Sequence, residues 1–384
     1  MVLNRRAFLS GVAALAAAPR VVFAEAALPT ERRFVFIIQR GAADGLNTVI
    51  PYADPAYAEL RGTLAIEPES AIKLDGSFAL HPALANMGAL YQAGQAGFFH
   101  AVASPYRERS HFDGQNILET GGSAPYALKD GWMNRLAGLV SPRGKGAIAF
   151  APTVPQALRG TLAVSSYAPS GLPEPNEDLM NRVAQLYARD PQLHALWSAA
   201  QDARGMTGGM DGRRGGQKPE ETGRMAANFL GRADGPRIAM IETGGWDTHS
   251  GQNGRLAGQL RNLDELVKGL RDGLGPVWDQ TVVLVATEFG RTAAANGTGG
   301  TDHGTGACAM LVGGAVQGGR VLADWPGLKP AELLDGRDLR PTLGLDTLIS
   351  QVCAEAFRIE PGKVARALFP GVAQGKPLPR LLVS

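Results

Sequence analysis

Six short apolar runs, separated by segments with helical spacing, constrain this chain more than any other feature. Arg33 to Gln39 reads RFVFIIQ, an unbroken stretch of the kind expected of a strand buried on both faces. Gly97 to Val102, Ala147 to Ala151, Pro236 to Glu242, Thr281 to Thr287 and Ala307 to Val312 repeat the pattern. Helical patterns lie between them at His81 to Ala93, Asp178 to Asp202, Gly254 to Gly273 and Leu343 to Phe357. The alternation predicts an α/β fold, a doubly wound and mostly parallel sheet with helices on both faces. Glu59 to Asp75 reads as a small ornament on the sheet edge. Gly205 to Gly223, dense in Gly, Met, Arg and Asp without periodicity, predicts a flexible insertion.

The N-terminus predicts export. Arg5 and Arg6 precede Phe8-Leu9 and an alanine-rich apolar run, Gly11 to Ala18, too short for a permanent membrane helix. The pair looks like a twin-arginine signal, with small residues for cleavage around Val22 to Ala26. An ordinary secretory signal that holds two arginines is the alternative. The expectation is a signal peptide over residues 1–27, the twin-arginine translocase as partner during export, and a periplasmic or secreted product. Residues 28–384 then form one α/β domain, about 357 residues long. Passengers of this route often carry a cofactor or metal before they leave.

Charge excludes some partners. Removing residues 1–27 takes away Arg5, Arg6, Arg20 and Glu25 and moves the formal charge from +2 to zero. A neutral chain offers no electrostatic case for nucleic acid or an anionic membrane. No second apolar stretch is long enough for a permanent membrane span. Cys308 and Cys353, the two cysteines, imply no disulfide framework; whether they pair is open.

The reactive residues cluster after strands, where open α/β sheets bind ligands. Arg33 to Gln39 runs into Arg40-Gly41-Ala42-Ala43-Asp44-Gly45, and Pro236 to Ile241 into Glu242-Thr243-Gly244-Gly245-Trp246-Asp247-Thr248-His249. Thr281 to Thr287 runs into Glu288-Phe289-Gly290-Arg291-Thr292, and Gly300-Thr301-Asp302-His303-Gly304 precedes the next strand. On parallel strands, Asp44, Asp247, His249, Glu288, Asp302 and His303 would converge on one edge. Carboxylates gathered there need a cation. Imidazoles with carboxylates suit Zn, Mn or Fe, and carboxylates alone suit Mg or Ca. Arg40 and Arg291 are alternative partners, or sites for an anionic substrate. Bland readings stand beside these: Asp44-Gly45 as a turn, Asp247 as a helix cap, Asp302-His303 as a loop pair. Ser110, between Arg109 and His111 where a helix begins, leads the nucleophile candidates, with an N-cap role as the alternative. Thr48 follows.

These five motifs, Arg40 to Leu46, Arg109 to Phe112, Gly245 to His249, Thr287 to Thr292 and Thr301 to Gly304, look like the signature of domain-of-unknown-function family 1501. That family usually carries a twin-arginine signal and is similar to the alkaline phosphatase and sulfatase superfamily. The resemblance implies an alkaline phosphatase-like sheet and a site of one or two divalent metals. It implies that Asp44 is a metal ligand after the first strand, that Ser110 lies in the nucleophile region, that Asp247 and His249 form a ligand pair, and that His303 is a late ligand. Two departures stand out: Phe289 occupies a place where members often carry a histidine, and Asp247 to His249 is a short spacing. Asp302 is the substitute ligand, and a one-metal site, or a site without catalysis, stays open.

The expected function is metal-dependent hydrolysis of a phosphate or sulfate ester, carried by a small molecule or a glycan. Ser110, His111 and Arg291 would be catalytic, Arg40 and Arg109 would bind substrate, and the divalent ion would be Zn, Mn, Fe, Ca or Mg. The rival is a non-catalytic periplasmic protein that binds a metal, glycan or partner. A metal-independent serine esterase is a third reading.

Overall fold

The computed structural model describes residues 30–141, 146–168, 177–188, 190, 193–198, 200 and 218–383. The expected signal peptide and residues 205–217 of the glycine-rich insertion lie outside them. The larger sheet contains β1 (Arg33–Gln39), β5 (Ala96–Ala103), β6 (Ala147–Phe150), β7 (Ser165–Ser166), β8 (Ile238–Thr243), β9 (Thr281–Thr287), β10 (Ala307–Val312), β11 (Arg320–Leu322) and β12 (Leu343–Gly344). Its order is β11-β5-β10-β9-β1-β8-β6-β7, with β12 also on β5. A second sheet joins β2 (Val49–Ile50), β4 (Ala79–Leu80) and β3 (Ile72–Lys73). Of its three strands only β3 falls within residues 59–75, where the sequence predicts a small ornament.

The alternation of side chains along each strand explains why both faces are covered. Val35 and Ile37 of β1, Ala239 and Ile241 of β8, and Val283 and Val285 of β9 share one core. It is closed by helices Ala85–Gln92, Pro219–Leu230 and Gln252–Leu274. Phe34, Phe36 and Ile38, with Ile238, Met240, Val282 and Leu284, fill the opposite core. Helices Trp132–Val140, Leu345–Phe357 and Pro361–Leu368 cover that side. All seven residues of β1 are buried, and each large apolar side chain so placed contributes about 1.5–3 kcal/mol. The sheet is mostly parallel with helices on both faces, as the alternation predicts. No helix among the described residues is long and apolar enough to cross a membrane.

Two expectations need correction. Pro219 to Gly223, placed by the sequence in a flexible insertion, form the start of helix Pro219–Leu230, with Pro219 in its first turn and Glu220 and Glu221 facing the helix dipole. Gly223 tolerates no side chain there, because a Cβ would lie 2.1 Å from the Leu266 carbonyl oxygen. The second correction concerns β10, which runs antiparallel to both β9 and β5. The segment from Glu288 to Gly306 contains no helix, and a parallel return needs a crossover connection. This reversal decides where the site forms. The start of β10 lies at the same edge as the carboxyl ends of β1, β8 and β9.

Candidate metal centre

Four turns meet at that edge. Gly41, after β1, has φ +119°, and a Cβ would lie 2.7 Å from the Asp247 backbone nitrogen. Only glycine lets the β1 turn pass so close to the β8 turn. The Gly41 N–H donates to Glu288 Oε1 at 2.8 Å, joining the β1 and β9 turns. The loop ahead of β10 is tied back by Thr292 N–H to the Asp302 carbonyl (2.9 Å) and Gly304 N–H to the Gly290 carbonyl (2.8 Å). His111 opens the helix His111–Thr120 and comes in from the side of β5.

Three donor atoms from His111, Asp247 and His303 lie within 4.8 Å of one another, a spacing that can hold a metal ion. His249 is adjacent: its Nε2 is 3.0 Å from Asp247 Oδ1 and 3.0 Å from His303 Nε2. Each imidazole is oriented through its other nitrogen. His111 Nδ1 meets Glu288 Oε1 at 2.8 Å, His249 Nδ1 meets Asp302 Oδ1 at 3.1 Å, and His303 Nδ1 meets the Arg109 carbonyl at 2.9 Å. Those acceptors require a proton on each Nδ1, so each neutral ring presents an Nε2 lone pair to the shared space. His303 Nε2 is also 3.3 Å from Asp247 Oδ1, and His111 Nε2 is 3.5 Å from Asp247 Oδ2.

Lone pairs and a carboxylate facing one another at these distances repel unless a cation or proton lies among them. His111 Nε2 makes the point most sharply. It is buried and has no hydrogen-bond partner, in a protein interior where such atoms are normally satisfied. The donor set therefore fits a divalent metal, with the outer hydrogen bonds that commonly orient metal-bound imidazoles.

The electrostatics agree with the geometry. Hydrogen bonding to Glu288 raises the pKa of His111. Burial, then the charge of His111, lowers that of His303. For Asp247, burial works to raise the pKa, yet the Arg291 guanidinium brings it below the ordinary carboxylate value. Glu288 is likewise opposed by burial and held low by bonds from His111, Gln115 and Gly41. Asp302 is lowered by Asn296, then by His249.

Other predicted site residues are placed differently. Asp44, expected among the ligands, is buried and paired with Arg61 through contacts of 2.5 and 3.0 Å. It also caps the short helix Gly45–Thr48 by accepting from Leu46 N–H and Asn47 N–H, and accepts from Gln252. Its oxygens are committed to protein donors. Arg40, expected to bind substrate, forms ion pairs with Glu119 at 2.8 Å and with Glu242. Burial opposes its charge, but these carboxylates raise its pKa overall. Arg109, also expected to bind substrate, is 2.8 Å from Asp338 and holds His303 through its carbonyl. Arg291, expected to be catalytic, is buried and donates to the carbonyls of Gly41, Ala42, Trp246 and Thr301 as well as to Asp247. It works as a staple whose charge reaches the site through Asp247.

Ser110 stands at the N-cap of helix His111–Thr120, but its side chain makes no capping bond. Thr48 is buried and donates to the Asp44 carbonyl at 2.6 Å. Phe289 is buried, its ring stacked on His111 at 5.1 Å and 5.3 Å from that of His303. Sequence reasoning missed Arg61, Gln115, Gln252 and Asp338. None lies in a glycine-rich strand-end turn, the signal that found the others.

The profile of the family described as "Protein of unknown function (DUF1501)" matches residues 76–369. The chain belongs to this family. The DUF1501 match includes His111, Asp247, His249, Glu288, Asp302 and His303, and begins after Arg40 and Asp44. No curated protein matches the sequence. Among solved structures, the chain is similar to Ps i-CgsB in complex with k-i-k-neocarrahexaose, at 12% identity over 86% of this chain and 73% of that one, with a TM-score of 0.44. It is similar to a protein in the alkaline phosphatase superfamily from Vibrio parahaemolyticus, at 11% identity over 81% and 69%, TM-score 0.38. A third is the C-terminal periplasmic domain of EcEptC from Escherichia coli in complex with Zn, at 10% identity over 77% and 76%, TM-score 0.36.

Proposed function

We propose that His111, Asp247, His249 and His303 hold one divalent metal and that the protein is an exported hydrolase of phosphate or sulfate esters. The observation that carries the metal reading is His111 Nε2, buried without a partner among three inward-facing donors. Three imidazoles and one carboxylate favour Zn, Mn or Fe over Mg or Ca. When bound, such an ion supplies Lewis-acid polarisation of an ester oxygen and lowers the pKa of a nearby hydroxyl. Ser110, next to His111 and free of a capping bond, is the hydroxyl best placed by sequence to serve as nucleophile. Glu288 and Asp302 orient imidazoles, and Arg291 balances Asp247.

Residues 1–27 act as the twin-arginine signal in this reading, and residues 28–384 as one domain. The Arg5 and Arg6 pair ahead of a short apolar run supports the first. Cores on both faces of one sheet, containing residues from Phe34 to Leu382, support the second. Changing Arg5 and Arg6 to lysine should leave precursor in the cytoplasm; undiminished export of that variant would refute the route.

Elemental analysis of protein purified without chelators, with a panel of aryl phosphates and sulfates, tests the main reading. About one equivalent of metal, lost together with turnover in Asp247→Ala and His303→Ala, is the expected result. Metal-free, well-folded protein would reject it. A second reading, a non-catalytic metal-binding protein, is favoured by the engagement of Arg40, Arg109 and Arg291 with protein acceptors. Metal without turnover of any ester would select it.

A further inference from the structure

A buried polar chain links the turn that carries Asp247 and His249 to the loop that carries His303. Gln252, at the start of the helix Gln252–Leu274, is fully buried. Its Nε2 donates to Asp44, which Arg61 neutralises. Its Oε1 accepts two hydroxyls, Thr248 Oγ1 at 2.9 Å and Thr301 Oγ1 at 2.7 Å. Both threonines are completely buried. Thr248 lies between Asp247 and His249; Thr301 lies two residues before His303. Their backbones are also joined, Thr301 N–H to the Thr248 carbonyl at 3.2 Å, and Gln252 N–H donates to the Gly299 carbonyl at 2.9 Å.

We infer that Gln252, through Thr248 and Thr301, is a positioning residue that sets the β8 turn and the loop before β10 in register, so that Asp247, His249 and His303 present their donors together. The amide has one workable orientation. A carboxylate on one side demands its N–H, and the two hydroxyls then find only its oxygen. Arg61 anchors the chain: its guanidinium grips both oxygens of the Asp44 carboxylate, which leaves that group an acceptor and fixes the direction of every bond that follows. Other ties between the two loops run through the His249 side chain and carbonyl and through Arg291; bonds from both hydroxyls to one oxygen add a fixed distance that does not depend on the donor side chains.

The inference rests on the metal reading above, and the experiment separates the two. Zinc dissociation constants are measured by competition with a chromophoric chelator on full-length mature protein, beside melting temperatures of the metal-free forms. Thr248→Val and Thr301→Val remove a hydroxyl at nearly constant shape, whereas Thr248→Ser and Thr301→Ser keep the hydroxyl and lose a buried methyl. The valine variants are expected to bind zinc about 10- to 100-fold more weakly, as loss of outer-shell support usually does. The serine variants should keep wild-type affinity despite lower melting temperatures. Affinity that follows melting temperature rather than the hydroxyl overturns the positioning role, as does unchanged affinity in the valine variants. Wild-type protein that binds none of zinc, manganese and iron overturns this role and the metal reading together.

Discussion

Replacing Asp44 by alanine separates two roles that the turn after β1 can play. If Asp44 is a metal ligand, the change should empty the site and leave the metal-free protein nearly as stable as before. The structure leads to the opposite expectation. Asp44 and Arg61 are both essentially inaccessible, and their carboxylate–guanidinium contact is bidentate. Removing one partner of such a pair leaves the other charge buried, at a cost of about 3–5 kcal/mol. Loss of the bonds to Leu46, Asn47 and Gln252 acts in the same direction. Against a typical total of roughly 5–15 kcal/mol, this is a large fraction of the stability. The assay is urea unfolding of chelator-treated protein at constant m-value, with Arg61→Met and the double variant completing a cycle. The two single changes should be strongly coupled, and the double variant should be less destabilised than their sum. A metal-free Asp44→Ala protein within about 1 kcal/mol of wild type, with its metal content gone, would refute the reasoning and restore Asp44 to the ligand set.

Other consequences can be read from the same structure. His100 is buried with Nε2–H donating to the Val49 carbonyl and Nδ1 accepting from Ala101 N–H, so a second proton has nowhere to go. Burial pushes its pKa down to about 4 from 6.5. The unfolded chain therefore binds that proton first, and stability present above pH 6.5 is lost as pH falls toward 4, by about 3 kcal/mol in all. Urea midpoints at pH 7 and 4.5 should differ less in His100→Gln than in wild type; equal differences would refute this. Phe289→Ala should cost about 3 kcal/mol in thermal unfolding and weaken metal binding, because the ring packs with Tyr106 and Ile117 and underlies His111 and His303. Gly41→Ala should destabilise by more than about 1 kcal/mol, because φ is positive and a Cβ would meet Asp247 N; a neutral result in a melt would show that the turn can shift.

What the sequence made legible follows from the range of the interactions involved. β1, β9 and β10 have the bounds their apolar runs suggest, since burial on both faces leaves no polar position inside such a run. Short strands such as β7, β11 and β12, of two or three residues, have too little pattern to be seen. The reversal of β10 was readable in principle, because no helical pattern separates Thr287 from Ala307. Of the residues that the strand-end turns single out, Asp247, His249 and His303 contact one another, and Glu288 reaches them through His111. The partners of the arginines were not readable. Arg40 finds Glu119 and Glu242, Arg109 finds Asp338, and Asp44 finds Arg61, across gaps that only the completed fold closes.

The six carboxylates and imidazoles expected as ligands divide by what each one's donors already hold. Asp44 is satisfied by Arg61 and backbone N–H groups and has nothing left to offer. Glu288 accepts from Gly41, Gln115, Thr287 and His111, and Asp302 from Asn296 and His249. Each orients an imidazole, Glu288 that of His111 and Asp302 that of His249. Asp247, His249 and His303 keep atoms turned toward one another, and His111 joins them with a buried nitrogen that makes no hydrogen bond, 3.5 Å from Asp247 Oδ2. Phe289 adds no donor where a histidine would have extended the set, and instead packs beneath two of the rings. On the proposed reading these four donors would share one ion, with Glu288 and Asp302 orienting His111 and His249, while Asp44 stays with Arg61.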